Sequence, residues 1–208
     1  MEVISYPLII ISALAVIASP GPATLAIASA SMTNGRNYGL GLASGVLTAS
    51  LFWSSIAAFG LAALLHTYAW LFDVIRYCGA IYLIFLAYKS ARSAFSPSKF
   101  TLSESHSISS SKAYKKGLLL QLTNPKAVLF FASLYSIGIP ENTQASDLIA
   151  VIVSIGMVSA CIFLGYAVLF SNNRARTVYI KSKVAFECVF AAFFGFAGIK
   201  ILTGSISK

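Results

Sequence analysis

Six long apolar stretches constrain this chain more than any other feature. Each is long enough to cross a bilayer as a helix, which takes about 20 residues. Only 10% of the residues are charged, against about 25% in soluble domains. So few charges cannot cover a water-facing surface, which excludes a soluble globule, a disordered chain and a fibrous protein. The sequence therefore predicts an all-α, multi-pass protein of the lipid bilayer, with spans at about 6–30, 40–65, 68–88, 117–139, 148–170 and 184–202.

The positions of the positively charged residues explain the net charge of +9. In a soluble protein it would suggest nucleic acid. Here, eleven of the 15 Lys and Arg residues lie in the polar segments after the first, third and fifth stretches. The positive-inside rule places that side in the cytoplasm and both chain ends outside. The charge indicates orientation in a membrane, and we expect no nucleic-acid partner.

A serine-rich segment at 95–113 divides the chain near its middle. Its composition is typical of a flexible connector, here on the cytoplasmic side. It separates a first unit, 1–94, from a second, 114–208, and each unit holds three apolar stretches. Because three is odd, the second unit must enter the membrane in the opposite direction. The sequence thus predicts two inverted three-helix repeats.

Prolines interrupt the first stretch of each unit. The motifs are Ser-Pro-Gly-Pro at 19–22 and Thr-Asn-Pro-Lys at 123–126, about half the chain apart. Broken helices at corresponding positions of two inverted repeats are typical of transporters with a central binding site. The alternative is a plain kink, because proline is common in membrane helices.

The chemistry of each break follows from proline, which lacks an N–H and frees the carbonyl four residues earlier. We expect new helices to start there, with Ser19 as N-cap before Pro20 and Asn124 as N-cap before Pro125. A helix start suits an anion. Freed carbonyls suit a cation, so the two together suit a zwitterion. The carbonyls expected to be freed belong to Val16, Ala18 and Gln121.

Lys126 lies about ten residues inside the fourth stretch. A charge at that depth costs about 2.5–3.5 kcal/mol on insertion scales, so it is usually functional or paired. We expect Lys126 to attract the carboxylate of a substrate. The alternative is a structural lysine that neighbouring carbonyls satisfy.

The combination of motifs resembles the LysE/RhtB family of bacterial amino-acid exporters. Ala87 departs from the family, which often has glycine there. The resemblance implies an exporter of amino acids or their derivatives in the bacterial cytoplasmic membrane, driven by the proton or another ion gradient. Its segments are Ser19-Pro20-Gly21-Pro22, the run 35–45 that begins Gly-Arg-Asn-Tyr-Gly-Leu-Gly, Gly79-Ala80-Ile81-Tyr82-Leu83 and Asn124-Pro125-Lys126-Ala127.

The predicted binding residues lie at the two breaks. Glu187 is a candidate for ion coupling, although its place near the cytoplasmic end of the sixth stretch also fits an exposed helix-end charge. No carboxylate is expected at the depth of Lys126, which favours a neutral amino acid over lysine or arginine. The residues predicted to bind substrate are Pro20, Gly21, Pro22, Thr24, Gln121, Asn124, Pro125 and Lys126.

Other functions fit the sequence less well. An exporter of a metal or another small ion would need clustered acidic, His or Cys ligands at depth, and the three cysteines lie in separate stretches. A non-transporting membrane subunit would need neither the breaks nor Lys126. We find no motif of an intramembrane enzyme and predict no cofactor or metal. The small-residue pair Gly41 and Gly45 predicts close helix packing, against the other unit or against another subunit of a homo-oligomer.

Overall fold

Helices form the described part of the chain. The structure, a computed structural model, describes residues 4, 6–67, 69–95, 109–140 and 143–204, and no strand occurs among them. This confirms the all-α prediction. In chain order the helices are α1 Tyr6–Ala18, α2 Pro22–Asn34, α3 Arg36–Thr67, α4 Ala69–Ala94, α5 Ser110–Leu122, α6 Pro125–Gly138, α7 Ala145–Leu169 and α8 Asn173–Gly204.

The helices fit a multi-pass membrane protein with two broken spans. Within the described residues, Arg36–Gly60 of α3 and the whole of α7 are each long and apolar enough to cross a bilayer. The pairs α1–α2 and α5–α6 pass the same criteria jointly, with bends of 52° and 58°. Helices α4 and α8, with 26 and 32 residues, have sufficient length. The bends lie at the two proline motifs, as predicted.

The predicted connector is shorter than expected at its C-terminal side. Helix α5 begins at Ser110, and the Ser109 side chain accepts a hydrogen bond from the backbone N–H of Ser111. Serine is a favoured N-cap because its side-chain oxygen satisfies such a free donor. Residues 110–113 are therefore helical. Residues 96–108 lie outside the described part of the chain, and the division into two repeats stays a prediction.

The relative directions of the helices follow from their contacts. A Cβ on Gly195 of α8 would lie 3.8 Å from Cβ of Ala87, and one on Gly198 would lie 3.0 Å from the carbonyl oxygen of Ala80. Residue numbers thus rise along α8 as they fall along α4, so these two helices are antiparallel. If the two units are inverted repeats, their third helices, α4 and α8, must be antiparallel.

The glycine pair on α3 packs against α5. A Cβ on Gly41 would lie 2.8 Å from the carbonyl oxygen of Ser110, and one on Gly45 would lie 2.7 Å from the backbone nitrogen of Leu118. Residue numbers increase in the same direction along both helices, so α3 and α5 are parallel. The pair therefore joins the first unit to the second, because α5 of the same chain covers both glycines.

We predict that Gly45→Ala destabilises the protein while Gly60→Ala, on the same helix, does not. The added methyl at Gly45 would overlap the carbonyl oxygen of Tyr114, which is backbone and cannot rotate away, whereas Gly60 has open space. Overpacking of this kind typically costs about 1–3 kcal/mol. Thermal unfolding in detergent measures the difference. Equal melting temperatures for the two variants would contradict the close approach of α3 and α5.

Candidate functional site

The first break begins where α1 ends at Ala18. Helix α2 starts at Pro22, and Gly21 is its N-cap in an extended conformation, with φ −163° and ψ 179°. The prediction that Ser19 caps a helix starting at Pro20 is therefore wrong. A residue that precedes proline is pushed out of the helical region, so Gly21 cannot be helical and α2 cannot begin before Pro22. The hydroxyl of Ser19 turns back instead and donates to the carbonyl of Val16 at 2.8 Å.

Thr24 closes the extended segment of the first break. The backbone N–H of Gly21 donates to Oγ1 of Thr24 at 2.9 Å. The same Oγ1 lies 3.2 Å from the carbonyl oxygen of Gly21 and 3.4 Å from that of Ser19. Thr24 is buried. It thus gives the backbone N–H of Gly21 an acceptor from the first turn of α2.

The second break has the predicted cap. Asn124 is the N-cap of α6, Pro125 follows it, and the Asn124 side chain accepts a hydrogen bond of 3.0 Å from the backbone N–H of Lys126. Nδ2 of Asn124 donates to Oε1 of Gln121 at 2.9 Å, and Nε2 of Gln121 donates to Oγ of Ser50 at 2.9 Å. Buried side chains thus connect the second break to α3. Sequence reasoning missed Ser50, whose only signal was a polar residue inside an apolar span.

Hydrogen-bond donors of the protein pair with the three carbonyls that the prolines free. Ser19 donates to that of Val16, the hydroxyl of Tyr166 donates to that of Ala18 at 2.8 Å, and the backbone N–H of Asn124 lies 3.2 Å from that of Gln121. The expectation that these carbonyls are free for a cation is therefore wrong. A buried carbonyl without a partner is costly, and neighbouring side chains supply the partners.

Lys126 connects the second break to the first. Its Nζ donates to the carbonyl oxygen of Ser19 at 3.1 Å and to the hydroxyl oxygen of Ser19 at 2.5 Å. The side chain passes over Gly21, where a Cβ would lie 3.2 Å from both Cδ and Nζ of Lys126. Glycine at position 21 thus makes room for the lysine. In this conformation Lys126 is satisfied by a carbonyl and a hydroxyl, as the structural alternative expected.

Glu187 is buried, with 2% of its surface exposed. The expectation of an exposed helix-end charge is wrong because α8 begins at Asn173, about four turns before Glu187. Its carboxylate lies within electrostatic range of Lys126, as the ammonium group of Lys89 does, and within range of Tyr166. A buried carboxylate therefore lies inside the protein near Lys126, which weakens the sequence argument against cationic substrates because that argument assumed none.

A small cavity lies between the two breaks. Its volume is about 30 Å³, which suffices for one or two water molecules. Five of the eight predicted binding residues line it, and Pro20, Pro22 and Pro125 do not. The residues lining it are Val16, Ile17, Ser19, Gly21, Ala23, Thr24, Ser50, Gln121, Asn124, Lys126, Ala127, Phe130, Phe131 and Phe163.

The chain is similar to known efflux proteins along most of its length. The family described as LysE type translocator matches residues 14–205. The threonine efflux protein of Salmonella typhi is 26% identical over 186 residues, which cover 88% of this chain and 90% of that protein. The leucine efflux protein of Klebsiella pneumoniae subsp. pneumoniae is 29% identical over 185 residues, 88% of this chain and 86% of the relative.

A third relative is described as a membrane protein. The uncharacterized membrane protein YahN of Escherichia coli K12 is 28% identical over 194 residues, which cover 91% of this chain and 85% of that protein. No solved structure matches the chain.

Proposed function

Because this chain belongs to the LysE type translocator family, we propose that it exports neutral amino acids or their derivatives from the bacterial cytoplasm. We propose secondary transport, driven by the proton or another ion gradient. Relatives named for the efflux of threonine and of leucine support an amino-acid substrate. Two spans broken at prolines, with a lysine between the breaks, support a site that such a substrate can occupy.

The bond between Lys126 and Ser19 carries the proposal. Serine offers Nζ a neutral carbonyl and a neutral hydroxyl, and a carboxylate makes a stronger, charge-assisted hydrogen bond to a lysine. The first turns of α2 and α6 start at the two breaks, and helix starts favour negative charge. In the proposal, the substrate carboxylate displaces Ser19 from Lys126.

Once Lys126 has turned to the carboxylate, the carbonyl of Ser19 can accept a hydrogen bond from the amino group of the substrate. The carbonyls of Val16, Ala18 and Gln121 already accept hydrogen bonds from the protein. That of Ser19 loses the Nζ of Lys126 when the substrate binds, so it becomes an acceptor for an ammonium group. When Lys126 and Ser19 separate, Lys126 binds the carboxylate of the zwitterion and Ser19 binds its ammonium group.

Substrate entry requires the two broken spans to separate. The cavity of about 30 Å³ is far smaller than an amino acid, and the contact between Lys126 and Ser19 joins the two units across it. Breaking this contact removes a polar link between the α1–α2 pair and the α5–α6 pair, whose remaining contacts include the packing of α1 on α6 and of α2 on α5. Movement of one repeat against the other around a central site is the general route of alternating access.

Glu187 is the residue that we propose for ion coupling. Its carboxylate is buried and acts on Lys126 without lining the cavity. A negative Glu187 stabilises an ammonium group in the site, and protonation removes that stabilisation. A proton and a substrate ammonium therefore compete for one negative charge. Such competition is what exchange of an amino acid for a proton requires.

We predict that Lys126→Gln abolishes amino-acid exchange without preventing folding. Glutamine keeps a polar side chain but loses the charge that attracts the carboxylate, while Asn124 still caps α6. Counterflow in proteoliposomes with a panel of amino acids measures exchange, and circular dichroism with gel filtration measures folding. Lys115→Gln is the control, because Lys115 is exposed on α5. Exchange at the wild-type rate in Lys126→Gln would refute the role of this lysine.

For Glu187→Gln we predict loss of the response to a pH gradient, with counterflow retained at saturating substrate. Glutamine cannot bind and release a proton and, like a protonated glutamate, holds the substrate ammonium more weakly, but counterflow at equal pH needs no proton transfer. The control is Asp147→Asn, since Asp147 is an exposed carboxylate in the first turn of α7. Two results would contradict the assignment to Glu187: a full response to the gradient in the variant, or loss of counterflow together with the response.

A further inference from the structure

The cavity between the breaks has a polar region and an apolar region. The polar region is at the breaks themselves, around Lys126 and Ser19. Phe130 and Phe131 follow Lys126 by four and five residues on α6, so they lie about one turn, 5.4 Å, farther along that helix. Val16 and Ile17 line the cavity from the last turn of α1, and α1 packs against α6 and α7. The apolar region therefore lies one turn away from the lysine.

Three phenyl rings dominate the apolar region. Phe130, Phe131 and Phe163 are all buried, and the ring centroids of Phe130 and Phe131 are 5.0 Å apart. Phe163 comes from α7, a helix that belongs to neither broken span. Among the described residues that line the cavity, Lys126 alone carries a charge. No acidic side chain lines the cavity, and Glu187, which acts on Lys126, is not among the lining residues.

We infer that Phe130, Phe131 and Phe163 form the pocket for the substrate side chain and select amino acids with aliphatic side chains, of the leucine and valine type. This rests on the proposed function, since it assumes that the carboxylate binds Lys126. With the carboxylate there, the side chain extends one turn along α6 onto the rings. A lysine, arginine or glutamate side chain would bury a charge without a partner, which is strongly unfavourable.

The degree of discrimination follows from the chemistry of the pocket. One methylene in an apolar pocket changes specificity by about tenfold to 200-fold, and an added hydroxyl is rejected by up to about a hundredfold. The aliphatic amino acid that fills the pocket best, leucine or valine, is thus transported fastest, threonine more slowly, and amino acids with charged side chains slowest of all.

Enlarging the pocket at Phe163 tests the inference. Phe163 is on α7, so Phe163→Ala leaves Lys126 and the caps of both breaks unchanged. In proteoliposome counterflow at low substrate concentration, we expect Phe163→Ala to raise the ratio of phenylalanine to valine exchange by about tenfold. Phe163→Leu should change the ratio in the same direction by less, and it serves if the alanine variant fails to fold.

The control is Phe194→Ala, because Phe194 is a fully buried phenylalanine of α8 that does not line the cavity. The ratio of phenylalanine to valine exchange in Phe194→Ala should equal that of the wild type. Wild-type exchange of lysine as fast as leucine, or an unchanged ratio in folded Phe163 variants that still exchange valine, would overturn the inference and leave the proposed function standing. Absence of exchange for every amino acid in the wild type would instead overturn the proposed function.

Discussion

The need to satisfy backbone hydrogen-bonding groups inside the membrane governs the structure of this site. Proline breaks free carbonyls in a membrane interior, where lipid offers no donor to pair with them. Side chains supply the missing donors: Ser19 for Val16 and Tyr166 for Ala18. The carbonyl of Ser19 remains, and Lys126 pairs with it from the other broken span. A charge that is costly at this depth and a carbonyl that otherwise has only a long contact with Thr24 thus stabilise each other.

In the proposed mechanism, this pairing differs from the others in that a substrate can replace it. Tyr166 does not line the cavity, and Asn124 donates from its backbone N–H, so neither donor can turn to a substrate as a lysine side chain can. Lys126 has a better partner in a carboxylate than in a neutral serine. In that mechanism, the contact that closes the site is thus the one for which a substrate competes, and binding is coupled to separation of the two broken spans, with Glu187 adjusting the electrostatic balance of the site.

Local sequence rules predict part of this arrangement. Both breaks, the cap at Asn124 and the close approach at Gly45 follow from proline, asparagine and glycine, whose effects are local. The start of α2 at Pro22 was also predictable, because the restriction on residues before proline applies to Gly21. The N-cap preference of serine favours Ser19, but the restriction on the residue before proline outweighs it at this break.

Tertiary packing determines the rest, and a single sequence does not reveal it. Tyr166 meets the first break from 148 residues away in the chain, and Ser50 meets Gln121 from 71. The burial of Glu187 depends on an α8 that starts at Asn173, in a segment whose arginines and lysines are typical of a loop. From the sequence alone, a functional role for these polar residues is no better supported than a role in ordinary helix packing, because their neighbours depend on how the helices pack.

Binding of amino acids and their carboxamides to the purified protein tests the central claim most directly. Isothermal titration in detergent compares L-leucine, L-valine and L-threonine with the corresponding amides, which keep the side chain and amino group but lack the carboxylate. If a carboxylate displaces Ser19 from Lys126, each amide binds at least about tenfold more weakly than its acid, the loss expected for a charge-assisted hydrogen bond. Equal affinities for acid and amide would contradict the account.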